Sequence, residues 1–223
     1  MSDESVQEQG DGVDQLDDIE VRVLAVLAEK EALTPDAYPM SLNALVNGCN
    51  QLSSRDPVMA LNESDVVAAL DRLVARRLAA EVRQAGARVV KYEHRMRIMW
   101  TLEPDKLAAL VLLMLRGPQT AGEVRGRAGR VHEFKTVADA EAALQFLIDK
   151  YPPLVARLPV APGTKEARYV HLLSGEAPAE AISMRAESSR QDRITALESD
   201  VATLRANLET LREEMQRFRA QFE

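Results

Sequence analysis

A single cysteine, Cys49, is all the chain carries. No internal disulfide can form, and no second thiol stands ready for zinc. Cys49 falls among apolar neighbours on a predicted helix, so it reads as a packed small hydrophobe. Histidine is nearly as scarce. His94, His132 and His171 sit on separate elements, without the spacing that would set two ligands on one helical face. Each reads as a polar tip on a hairpin or loop. Long apolar runs are missing too: the longest uncharged one, residues 107–115, is about half of what a membrane span needs. There is no G-x-S-x-G elbow, phosphate-cradling glycine loop or dinucleotide fingerprint. These absences point away from an enzyme, a cofactor, a metal and a membrane, so no catalytic, cofactor-binding or metal-ligating residue is expected. The N-terminus is acidic where a leader would be basic and then apolar, which predicts a cytoplasmic protein.

What is present is charge, unevenly spread. The net charge is −7, yet residues 1–20 hold eight acids and no base, and residues 180–223 hold nine acids and seven arginines. The body between them is left with 18 acids against 21 bases. An acidic protein overall therefore has a mildly basic middle.

Residues 1–16 have hardly any apolar anchor and predict a disordered acidic tail. Helical spacing begins near Asp17 or Asp18, with Ile19, Val23, Val26 and Leu27, and Thr34-Pro35 and Tyr38-Pro39 stop it. Ser41 is a good N-cap for a second helix carrying Leu42, Leu45 and Val46. A polar loop spans residues 47–57, with Asn47 at its start and Pro57 at its end. Asn62 with Asp65 opens a third helix burying Val66, Leu70, Leu73 and Val74. Two β-prone runs, near Val82 and from Val90 to His94, flank Ala85-Gly86-Ala87 as a hairpin.

The order then repeats. A helix over 104–115 is broken by Gly117-Pro118, Thr120 with Glu123 caps a short helix, and Thr136 opens a third burying Ala140, Leu144, Leu147 and Ile148. Strands near 154–160 and 167–173 follow. Corresponding features lie 74 to 79 residues apart, which suits one fold used twice. Helix, short strand, helix, helix, hairpin is the order of a winged helix. The predicted fold class is mainly α with small β-hairpins (α+β): two tandem winged-helix domains, 17–100 and 101–174, a linker 175–187, and a C-terminal coiled-coil helix over 188–223. In that last segment Ile194, Leu197, Val201, Leu204, Leu208, Leu211, Met215, Phe218 and Phe222 alternate spacings of three and four. Such a narrow seam is that of a coiled coil. β-Branched Ile194 and Val201 at a, leucines at d, and opposite charges for Arg193 with Glu198, Asp200 with Arg205 and Glu214 with Arg219 predict a parallel homodimer.

Four stretches, EKEALTPDAYPMSLNALVNGCNQLSSRDPVMALNE, RVVKYEHR, LLMLRGPQTAGEVRGRAGR and PPLVARLPVAPGTKEARYVHLLSG, cover most of residues 18–175. By these the chain resembles the YceH-like family of uncharacterised bacterial proteins. The resemblance implies a tandem winged-helix fold in the bacterial cytoplasm, and implies no activity and no functional residue.

Winged helices commonly bind DNA with the third helix in the major groove. Here that helix carries Glu63 and Asp65, then Asp71, in the first unit, and Asp139 and Glu141 in the second. Carboxylates there oppose the counterion release that drives such binding. The bases sit elsewhere: Arg76, Arg77, Arg83, Arg88, Lys91 and Arg95 run into the first wing, and Arg125, Arg127 and Arg130 surround the second unit's short helix. One expectation is thus a homodimer holding double-stranded DNA through its wings, with little sequence readout. The alternative is an adaptor that binds a cytosolic protein through the winged-helix surfaces and loop 47–57.

Overall fold

The first helix begins where its side chains close the exposed amides. In the computed structural model, which describes residues 15–83, 89–160, 164 and 166–175, α1 (Asp18–Leu33) is opened by a reciprocal capping box. The Glu20 amide donates to Asp17 at 2.7 Å and the Asp17 amide to Glu20 at 2.8 Å. Every residue from Glu20 to Glu29 on this helix is buried. The apolar stripe in the sequence marks only part of that surface, because α1 is covered from more than one side.

One cover comes from the elements that follow. Strand β1 (Met40–Ser41) leads into α2 (Leu42–Cys49), capped by Ser41, and α3 (Glu63–Ala75) opens on the Asn62–Asp65 box. Gly48 lets α2 press on α1, since a Cβ there would meet Val26 Cγ1 at 2.7 Å. The hairpin strands β2 (Ala79–Val82) and β3 (Lys91–His94) complete an antiparallel sheet in the order β1-β3-β2. Its turn, residues 84–88, lies outside the described residues, and Arg88 with it.

A four-residue helix, α4 (Met96–Met99), was not expected. One turn is too short to show a period, and only Met96 of it is buried. Beyond it, α5 (Pro104–Arg116) ends on Gly117 at φ +71°, and α6 (Ala121–Ala128) and α7 (Val137–Ile148) open on the Thr120–Glu123 and Thr136–Asp139 boxes. Strands β4 (Val155–Arg157) and β5 (Tyr169–His171) pair antiparallel, and Gln119 bridges to Tyr169 as a third edge. These strands are shorter than the runs that suggested them.

About half of the described residues are helical, with two small antiparallel sheets. The order helix, strand, helix, helix, hairpin recurs, Gln119 standing for the second short strand. Leu70 and Leu73 of α3 and Leu144 and Leu147 of α7 are all buried in one hydrophobic core. That core is continuous because α5 packs on α1 as α3 does. Backbone bonds reinforce the joint, from Asp56 N to Leu115 O and from Leu16 N to Leu173 O, both 2.8 Å. Leu16, assigned to the acidic tail by composition, is therefore a core residue. The whole heptad seam lies outside the described residues.

Candidate functional site

The connection from α2 to α3, residues 50–61, has no regular structure beyond turns, yet it is braced from beneath by two buried arginines. Arg55 is only 6% exposed. Its guanidinium donates to both Glu29 oxygens, at 3.0 and 2.6 Å, and to the carbonyls of Gly48 and Ser54 and to Gln51 Oε1. Such a fork-to-fork contact fixes direction as well as distance. Arg22, 2% exposed, donates to Cys49 O at 3.1 Å and Pro57 O at 2.6 Å. Burial, and after it the charge of Arg55, holds the Arg22 guanidinium below its ordinary pKa. Asn50 closes the loop by trading both amide bonds with the Leu61 backbone, at 2.7 and 2.8 Å. Arg116 of α5 reaches Ser54 Oγ at 2.6 Å.

Over this brace the loop turns apolar side chains outward. Leu52 is 84% exposed and Val58 is half exposed, beside exposed Ser53, Asp56 and Pro57. The sequence predicts an exposed loop over residues 47–57, yet residues 47–49 belong to α2. Arg55 corrects that expectation as well: it is the clamp of the loop and not part of its face. Cys49 is packed beneath, its thiol pushed up to about 12 by burial.

Of the nine basic residues singled out in the sequence, four lie beside carboxylates: Arg76, Arg83, Arg95 and Arg127. Arg83 pairs with Glu81 at 3.1 Å and Arg95 with Glu93 at 3.0 Å. Arg127 bonds Gln119 at 3.0 Å and approaches Glu123, which also takes Arg168 at 2.9 Å. Arg76 donates to Gln15 O at 2.9 Å and lies 3.7 Å from Glu20. Arg125 donates to Phe134 O. Arg77, Lys91 and Arg130 form no ion pair among the described residues. The acids at the starts of α3 and α7 have a structural task as well, since Asp65 and Asp139 each accept the N-cap amide.

His94 departs from the expected polar tip. It is buried, and its Nδ1 accepts from Met96 N at 3.2 Å, so the neutral ring carries its proton on Nε2 and donates to Glu31 at 2.9 Å. Its amide donates to the Tyr38 hydroxyl at 2.7 Å. The side chain ties β3 to α1. Among the described residues no group of three or more His, Cys, Asp or Glu gathers to hold a metal, and no helix is long and apolar enough to cross a membrane.

Arg22 and Glu29 were missed in the sequence. A signal was there: both fall in register with Val26 on the apolar stripe of α1, where a charge needs a partner.

Comparison with known proteins places residues 16–164 in a family described as "Protein of unknown function, DUF480". A UPF0502 protein of Janthinobacterium sp. (strain Marseille) is 66% identical over 207 residues, spanning 91% of this chain and 89% of the relative. One from Herminiimonas arsenicoxydans is 63% identical over 210 residues, with 91% and 89% covered. One from Geobacter sulfurreducens is 48% identical over 217 residues, with 93% and 98% covered.

Proposed function

This chain belongs to the DUF480 family, and from that premise we propose that it is a non-enzymatic protein-interaction module of the bacterial cytoplasm. In this reading two tandem winged-helix units present the braced loop 50–61 to a protein partner. The observation that carries it is the pair of buried guanidinium groups under a loop whose Leu52 is 84% exposed. Burying charge is costly unless it is paired, and a mere connection does not need that investment. Rigid loops with outward apolar side chains lose little entropy when a partner covers them. The repeated element order supports the winged-helix assignment.

Duplex DNA held by the wings remains the competing assignment. It asks for guanidinium groups turned to phosphate, whereas Arg83, Arg95 and Arg127 face carboxylates. Leu52→Asp combined with Val58→Asp separates the two, since exposed changes of this kind alter stability by only about 0.5 kcal/mol. Immobilised protein in nuclease-treated bacterial lysate should retain partner proteins that the double variant loses. A retained set unchanged by the variant would reject the loop. Anisotropy on a random-sequence duplex near 50 mM salt tests the other side. Salt-dependent binding that weakens on Arg83→Glu, Arg88→Glu and Lys91→Glu would transfer the assignment to DNA, each lost phosphate contact lowering the log–log salt slope by about 0.9.

The heptad from Ile194 to Phe222 is the proposed dimerisation element, pairing two chains in parallel and doubling the loops a partner can engage. Leu204→Asp places a carboxylate at a d position and should give monomers by light scattering. A variant that stays dimeric would put the interface elsewhere.

A further inference from the structure

A second surface, distinct from the loop, lies along the α1–α5 joint. A groove of about 230 Å³ runs between them, with Ala28 and Ala32 of α1 and Leu107 and Ala108 of α5 among its lining. Ala28 and Ala32 are one turn apart on the same face of α1. Three alanines along this seam leave room that larger side chains would fill. The volume is below the roughly 300–1,000 Å³ of small-molecule and cofactor sites, and above the roughly 150 Å³ cavity that takes a benzene ring. It suits one large apolar side chain.

Two charges of opposite sign line the same groove, Glu31 and Arg97. Glu31 is already held at one oxygen by His94. Arg97 is exposed and forms no ion pair among the described residues. The next two residues of α4, Ile98 at 72% and Met99 at 45% exposed, extend apolar surface past Arg97. An apolar crevice, an unpaired cation beside it and an apolar rim form a composite of stated chemistry.

We propose that this groove docks a segment of a partner protein that inserts one apolar side chain and sets an adjacent Asp or Glu against Arg97. Glu31 in the same lining gives the segment a direction, because it repels the carboxylate that Arg97 attracts. The site shares no residue with loop 50–61, so it stands or falls separately from the function proposed above.

Panning a random peptide library on the full-length protein tests it. Enriched peptides should share an apolar residue next to an acid, and Arg97→Glu should weaken them roughly tenfold while favouring a base in place of the acid. Ala32→Leu, at an exposed position, should fill the groove and abolish binding while circular dichroism stays unchanged. The Leu52→Asp, Val58→Asp variant should select the same peptides. Peptides lacking the apolar–acid pair, or no enrichment at all, would overturn the proposal. So would indifference to Arg97→Glu, or loss of binding in the loop variant alone.

Discussion

Glu29→Ala should destabilise the protein by about 3–5 kcal/mol in urea denaturation, because it strands a buried guanidinium without its carboxylate. The Arg55 side chain is wholly buried and that of Glu29 nearly so. Neither water nor salt can replace the lost partner there. Arg55 would keep its bonds to Gly48, Ser54 and Gln51, which satisfy donors but supply no opposing charge. Replacing both residues, Glu29→Met with Arg55→Met, should therefore cost less than Glu29→Ala alone. That inversion distinguishes a stranded charge from simple loss of packing. An effect of Glu29→Ala below about 1 kcal/mol, the range of a surface pair, would mean the pair is solvated. Loop 50–61 should lose its shape at the same time, and with it the partner proposed for it.

Leu24→Ala should cost about 2–5 kcal/mol, and the loss should appear in both halves of the fold at once. Leu24 is fully buried on α1, the helix that packs against both α3 and α5. A core shared in this way has no internal boundary at which unfolding can stop, so one transition is expected. Trp100, the lone tryptophan, packs against that core near the middle of the chain. Its fluorescence should change at the same urea concentration as the helical circular dichroism, in the unaltered protein and in the variant. Two separated transitions, with Leu24→Ala shifting only the first, would show that the halves fold independently.

Local chemistry was well legible in the sequence. Asn62 with Asp65 and Thr120 with Glu123 lie three residues apart, and a capping box needs nothing beyond its own turn. The recurring element order followed from such local signals laid end to end. What stayed hidden was long-range. Glu29 meets Arg55 across 26 residues and Arg22 meets Pro57 across 35, and no period in the chain announces either pairing. The full burial of α1 was hidden for the same reason, since α5, more than 70 positions away, supplies part of its cover. His94 looked like a tip because hairpin residues usually face water, but Tyr38 and Glu31 close over it. Arg83 and Arg95, at the ends of β2 and β3, looked available, yet each pairs with the acid two positions before it, Glu81 and Glu93, on the same side of the chain.

The bond from Leu16 N to Leu173 O gives the fold a further property. The chain enters the described body and leaves it one hydrogen bond apart, so a short linker between those points would close it into a ring. Opened instead between α4 and α5, that ring would read the second half first and the first half second, with the α1–α5 joint intact. For this architecture the order of the halves along the gene is interchangeable, and circular permutation at the α4–α5 connection should be tolerated where separation of the halves is not.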